Sequence, residues 1–442
     1  MKMRKTIFFI LIIALIPLIA KAAFWQSETT GTALACKVLE PKTPVVDYSG
    51  KVMTVVYLTN LACEKIGQYS NEENISWLSS QGYRVVVLDY KHHERSKSPY
   101  LNLDIIALNK ALNNGTFCGM DGISTDRAYI LFEGYRIKRD VAYYLDDPKV
   151  YNYPKEYSET EGDSLYMDIV YPANPVRKIP TILSFSYSNS YAGTAKEGYT
   201  EKYRHKRMFL GYTFSMFSDS FLEGAPAVGV AWAIADHPKY CDWGRGNRID
   251  GKQKEYGSIQ INPDAARKVR SAIRTLRGTG RTLGLGESVM LYGFSRGSTA
   301  ASLAIGDLPN KEWLEDVRGL FPEESAKIQK AFLGPGIFDY SKTLAESREY
   351  RNMSVYCSSQ PSPAKAWEQQ GGARSIKNVC VPCFLFYNSS DDAEYGRQMD
   401  NLIELLKSTG SEYELLKDYG KGHSVPQQLS DLERMYRFLV KK

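Results

Sequence analysis

Val289-Met-Leu-Tyr-Gly-Phe-Ser-Arg-Gly-Ser-Thr-Ala-Ala-Ser302 reads as a short apolar strand that runs into Gly293-x-Ser295-x-Gly297 and then into small helix-forming residues. The order is strand, sharp turn, helix. Such a turn forces its central residue into a strained backbone conformation that only tiny neighbours tolerate, which accounts for glycine two positions before and two after Ser295. The bend pushes the hydroxyl clear of the sheet. Ala300, Ala301 and Ala304 then permit close contact between helix and sheet. In a chain with 34 glycines the pentapeptide is a weak signal by itself, so its surroundings have to carry the reading.

Outward from that turn, strands alternate with helices. Strands are expected over 181–185, 227–234, 288–292, 330–333, 382–387 and 412–416, with a helix over 263–277 and a closing amphipathic helix marked by Leu429, Leu432, Tyr436 and Leu439. That alternation implies a mostly parallel sheet. Before it, 128–132 and 135–144 read as an antiparallel pair joined at Glu133-Gly134, followed by a strand over 165–171. The helix from Pro263 is expected to take Asn262 as its cap, with Asp264 near the positive end of the dipole. Its Arg267, Lys268, Arg270, Arg274 and Arg277 read as a solvated outer face. An irregular stretch over 344–378, with Tyr350, Tyr356 and Trp367, stands where it could cover the turn.

Nearer the start, 23–50 reads as an extended lead-in. Strand 52–58, helix 71–81 and strand 84–89 then form a smaller strand-helix-strand unit. Leu101, Ile105, Leu108 and Leu112 fall on one helical face and read as core. Adjacent His92 and His93 read as a polar turn, because metal-binding pairs sit at helical spacing on one face.

Residues 1–22 combine Lys2, Arg4 and Lys5, an apolar run from Ile7 to Ala20, and the small-residue site Ala20-Lys21-Ala22. This pattern predicts a secretory signal cleaved after Ala22 and a periplasmic or secreted product. The run is shorter than the roughly 20 residues that cross a bilayer as a helix, so no integral membrane segment is expected after cleavage. The net charge of +6 falls to +2 once the four basic residues of 1–22 are removed, 52 Lys and Arg facing 50 Asp and Glu. No nucleic-acid partner is implied. All seven cysteines (Cys36, Cys63, Cys118, Cys241, Cys357, Cys380 and Cys383) lie in the exported part, where disulfides are permitted, and the odd count leaves at least one free. Cys380-Val-Pro-Cys383 lacks the partners of a zinc site and reads as buried thiols or one local bridge.

Hydrolysing an ester takes a nucleophile stronger than a neutral hydroxyl, a base near neutrality to accept its proton, and an acid to orient the charged imidazole. Ser295, His423 and Asp391 meet these needs in the order Ser, Asp, His. His423 is the only histidine C-terminal to Ser295, and it sits in the loop Tyr419-Gly-Lys-Gly-His-Ser-Val-Pro426 after the last strand. Asp391 follows the strand that ends at Tyr387, and Asp392 is the rival acid.

With these residues the chain resembles an α/β-hydrolase, and most of all the dienelactone-hydrolase-like and acetyl-esterase-like serine hydrolases. The resemblance covers about 127–442. It divides the chain into a signal (1–22), an N-terminal α/β accessory region (23–126) and an α/β-hydrolase catalytic domain (127–442). It implies a cofactor-free, metal-free acyl-enzyme mechanism, with an oxyanion hole formed by the amide of Arg296 and a donor from the loop after the third strand. Many relatives have His-Gly in that loop. Here it is Phe185-Ser-Tyr-Ser-Asn189, so by position Tyr187 takes the role through its amide or hydroxyl, unless the ring simply packs beneath the loop. The expected substrate is a small-molecule or glycan ester. Acylated carbohydrate is suggested by 31 tyrosines and six tryptophans, many of them in 187–221 and 240–256, where ring faces could stack on sugars. Two readings compete: a serine peptidase of prolyl-oligopeptidase type, and a non-catalytic glycan-binding protein with a hydrolase shell.

Overall fold

The computed structural model describes residues 23–26, 31, 33–46, 52–59, 73–89, 108, 111, 129–132, 135–145, 165–173, 180–185, 231–238, 261–306, 319–426 and 428–441. The leader 1–22, His92, His93, Tyr187, Cys63, Cys118, Cys241 and the aromatic segments 187–221 and 240–256 lie outside these residues. The chain divides into two compact units, one built from segments between Met1 and Glu133 and the other principally from Gly134–Lys442.

The first unit holds a five-stranded sheet in the order β1-β2-β4-β3-β5, from β1 (Ala23–Gln26), β2 (Ala33–Leu39), β3 (Thr54–Thr59), β4 (Arg84–Asp89) and β5 (Tyr129–Phe132). Helix α1 (Glu73–Ser80) packs on β4 and buries Leu78 completely. β3 and β4 are near-continuous apolar runs, Val55-Val-Tyr57 and Val85-Val-Val-Leu88, with no exposed face. Such strands belong in the middle of a parallel sheet, and β3 does pair in parallel with both β4 and β5. Two expectations are corrected here. The supposed lead-in forms β1 and β2, with β2 antiparallel to β4. β5 joins this sheet instead of turning back on the next strand, because its apolar residues find partners on β3.

The second unit carries an eight-stranded sheet. Its strands are β6 (Tyr135–Tyr144), β7 (Leu165–Pro172), β8 (Thr181–Phe185), β9 (Ala231–Ala235), β10 (Val289–Gly293), β11 (Lys330–Leu333), β12 (Cys383–Tyr387) and β13 (Tyr413–Lys417). From one edge the order is β6-β7-β9-β8-β10-β11-β12-β13. β7 runs antiparallel to both its neighbours, and every other pair is parallel. This order, with helices on the faces and the serine turn after the fifth strand, is the α/β-hydrolase fold.

Strict alternation sorts the two faces. Val289, Leu291, Leu183, Ala331, Leu333 and Leu385 point into an aliphatic layer. That layer is covered by α2 (Asp264–Thr282), α3 (Arg296–Ser302) and, further along, α6 (Ala393–Thr409). On the other face Trp232, Tyr292, Phe332, Phe384 and Phe386 form a chain of rings with centroids 5.6–6.4 Å apart. Phe438 of the closing helix α7 (Leu429–Val440) caps that chain edge-on. Offset and edge-on pairs of this kind add about 0.5–1.5 kcal/mol each beyond burial. Between β11 and β12, the stretch expected to be irregular contains α4 (Arg348–Ser358) and α5 (Pro363–Glu368), packed together over Tyr340, Met353 and Cys357.

Helix α2 departs from expectation in two ways. Pro263 is its cap residue, while the Asn262 side chain donates to the Gln369 carbonyl at 2.9 Å and ties α2 to the end of α5. The cationic face is not solvated. Lys268 is fully buried with its ammonium 5.4 Å from the Tyr144 ring centre, and Arg277 donates to the carbonyls of Glu287, Ser325 and Lys327. Burial, and then the neighbouring Arg274, pull the Arg270 guanidinium down to about 10. The periodicity was right and the surroundings were not, because the long stems of Lys and Arg can cover a sheet edge while their heads find carbonyls. The cysteines Cys36, Cys357, Cys380 and Cys383 are buried thiols, and both Cys380 and Cys383 donate to the Val381 carbonyl at 3.3 Å.

Arg277→Leu should therefore strand three carbonyls and cost about 3 kcal/mol in urea unfolding. Arg281→Ala, which breaks the half-exposed pair with Glu324, should cost less than about 1 kcal/mol. Equal losses for the two variants would contradict this account of the helix.

Candidate active site

Ser295 lies between β10 and α3 with φ 55° and ψ −127°, a conformation that side-chain-bearing residues rarely adopt. The turn is held by crowding. A Cβ on Gly293 would lie 2.3 Å from Ser298 Cα, and one on Gly297 would lie 2.5 Å from the Phe185 carbonyl oxygen at the end of β8. Behind them Ser298 Oγ donates to Gly334 O at 2.7 Å, and Thr299 Oγ1 accepts from the Ile337 amide at 2.9 Å. These bonds pin α3 to the segment after β11. Arg296, the first residue of α3, follows the serine directly and is partly buried.

His423 and Asp391 come together. His423 Nδ1 lies 2.8 Å from Asp391 Oδ2, with the carboxylate side chain 5% exposed and the imidazole 33% exposed. Asp391 Oδ1 also accepts the Asp392 amide. Asp392 is committed elsewhere, since its Oδ1 accepts the Glu394 amide at 2.9 Å and caps α6. The imidazole is sandwiched between two rings, Phe294 at 4.6 Å between centroids and Tyr395 at 4.8 Å with planes 24° apart. Phe294 is the chain neighbour of Ser295, so this packing sets the imidazole beside the turn.

Asn388 is a residue that sequence reasoning missed. It is buried at the end of β12, and its side chain does three things at once. Nδ2 donates to Gly422 O and to Ser424 Oγ, and Oδ1 accepts the Gly420 amide, so the loop bearing His423 is stitched to the loop bearing Asp391. Ser389 adds amide and hydroxyl bonds to Asp418, and these hold that exposed carboxyl below its ordinary range. A polar residue directly after an all-apolar strand was the available signal. Among the described residues, no group of three or more His, Cys, Asp or Glu is arranged to hold a metal ion, and no helix is long and apolar enough to cross a membrane.

No family model and no curated protein matches the chain. Solved structures do. One is the bifunctional GH43-CE of Bacteroides eggerthii, at 19% identity and TM-score 0.44, over 68% of this chain and 34% of that one. A second is the thermophilic esterase of the Planctomycetes species Thermogutta terrifontis with propionate bound, at 17% and 0.42, over 70% and 94%. A third is esterase B of Lactobacillus rhamnosis in inhibited form, at 14% and 0.46, over 75% and 91%. The chain thus spans about a third of the first protein's length and nearly all of the other two. These activities belong to those proteins, and the fold assigned above stands on the strand order.

The crowding at the turn has a direct consequence. Gly293→Ala should lose about 2–3 kcal/mol, because its methyl meets backbone that cannot retreat. Gly396→Ala should gain about 0.5–1 kcal/mol, because its methyl on α6 meets only Tyr387 Cε2 at 3.9 Å. Chemical denaturation of the pair checks both signs.

Proposed function

We propose that this chain is an exported serine hydrolase that cleaves carboxylic esters through an acyl-enzyme, with acylated carbohydrates as its substrate class. The observation that carries the reading is the 2.8 Å contact between Asp391 and an imidazole packed against the neighbour of a strained serine. Ser295 Oγ attacks the ester carbonyl while His423 Nε2 takes its proton. Asp391 holds the proton on Nδ1, which keeps Nε2 the basic nitrogen and stabilises the imidazolium that forms. Collapse of the tetrahedral intermediate expels the alcohol, which leaves with the proton from Nε2. Water then repeats the sequence on the acyl-serine. The oxyanion sits against the Arg296 amide, with Tyr187 as the second donor.

Export is supported by the charged, apolar and small-residue order of 1–22, and the carbohydrate assignment by the aromatic content of 187–221 and 240–256. Neither the mechanism nor the site calls for a cofactor.

A fluorophosphonate should label the folded protein, and Ser295→Ala should abolish that label together with hydrolysis of p-nitrophenyl acetate. Asp391→Asn should cut turnover by about 10³–10⁴-fold by releasing the imidazole tautomer. Asp392→Asn, still a competent cap, should stay within about threefold of wild type. A folded wild type that takes no label would favour a binding protein, and turnover of peptide anilides in preference to acetylated glycans would favour a peptidase.

A further inference from the structure

The segment 334–339 after β11 is bonded to both helices that carry the candidate site. On one side it runs against the serine turn, where a Cβ on Gly336 would stand 3.2 Å from the Ser295 carbonyl oxygen and 3.0 Å from Ser298 Cβ. The Ile337 amide donates to Thr299 Oγ1 of α3 at 2.9 Å. On the other side the next two amides, those of Phe338 and Asp339, both donate to Gln398 Oε1 of α6 at 2.9 Å. Gln398 is fully buried, and its Nε2 donates to Asp339 O and to Glu394 Oε1, each at 3.0 Å. Its carboxamide thus uses both lone pairs and both protons. Glu394 completes the junction, with Oε2 accepting the Leu344 amide at 2.7 Å.

Tyr395 lies in α6 between the two members of that junction. Its ring stacks on His423 at 4.8 Å with planes 24° apart, and it also packs against the buried cluster that contains Ile337 and Tyr340. Burial of Met399, Leu402 and Leu406 keeps α6 on the sheet, but apolar contact is non-directional and leaves the helix free to slide or turn. Hydrogen bonds, which weaken steeply when misaligned, remove that freedom. The first turn of α6 and the start of α3 are therefore set by one short run of backbone, the former through Gln398 and the latter through Thr299.

Resting on the ester-hydrolase reading, we infer that Gln398 is a positioning residue for acyl transfer. By tying the first turn of α6 to the segment that also holds α3, it sets where the Tyr395 ring lies and, through that ring, the place of the His423 imidazole relative to Ser295.

The test is a double-mutant cycle in the full chain, read as kcat and KM for p-nitrophenyl acetate well below each variant's unfolding midpoint. Gln398→Met, similar in size but without those hydrogen bonds, should lower kcat by about ten- to a hundredfold with KM within about twofold, since a displacement of about 1 Å at a reacting pair suffices for such a loss. Tyr395→Leu should lose a comparable factor. The double variant should fall no more than about twofold below the weaker single variant, because the second change removes only what the first has already taken. A glutamine that merely stabilised the fold would give losses that multiply, or no loss of kcat. A folded Gln398→Met with kcat within about twofold of wild type, or multiplying losses, would overturn the assignment while leaving the hydrolase standing. Should Gln398→Met not fold, Glu394→Gln, which puts a donor in place of one acceptor at the same junction, goes through the same cycle and the same outcomes decide. A wild type that neither turns over the ester nor takes a fluorophosphonate label on Ser295 would overturn both readings.

Discussion

Everything at the site depends on keeping one serine in a backbone conformation it would not hold alone. A non-glycine residue at φ 55° and ψ −127° carries strain on the order of 1–3 kcal/mol, and such strain persists only where the surroundings leave no alternative. Here the alternatives are removed by contact. With hydrogens in place of side chains at 293 and 297, α3 comes down onto the ends of β10 and β8, and Ser298 and Thr299 lock the helix to the backbone after β11. The aliphatic layer beneath supplies the stability that this strain consumes.

Rigid placement of the serine matters only if the two partner loops arrive at the same edge. Parallel pairing of β10, β11, β12 and β13 guarantees this, since the loops after β10, β12 and β13 all leave from the carboxyl ends of their strands. Pairing alone would still leave two independent loops. Asn388 removes that freedom by satisfying three groups of the histidine loop from the strand that carries the aspartate. The Phe294 and Tyr395 rings then restrict the imidazole from its two faces.

Much of this was legible in the sequence, and the failures share a cause. Gly293-x-Ser295-x-Gly297, the apolar alternation of β10 to β13, and a lone C-terminal histidine all report local or periodic constraints, which a single chain displays directly. What the sequence hid was pairing partners and surroundings. Tyr129–Phe132 and Tyr135–Tyr144, two residues apart across Glu-Gly, look like a hairpin, yet β5 lies beside β3 and β6 beside β7. Short apolar strands go where the larger apolar surface is, and that is a long-range fact. Helix α2 shows the same limit for charge: its arginines repeat at helical spacing, but only the fold reveals that Arg277 faces three carbonyls and not water. Helix α6 went unread although Asp392 and Gly410 bracket it as caps.

The neighbouring carboxylates at 391 and 392 show how geometry divides what composition cannot. Both follow the same turn, in which the Asp391 amide donates to Asn388 O at 3.1 Å, and both are aspartates with the same intrinsic chemistry. α6 begins immediately afterwards, and its first free amides require an acceptor one residue ahead of the helix. Asp392 is that residue, so its oxygen is spent on Glu394 N. Asp391, one step earlier and still in the turn, projects toward the histidine loop that Asn388 has already drawn in. The helix start therefore chooses the imidazole's partner: a carboxylate needed as a cap is not at liberty to hold the imidazole, and the one before it is.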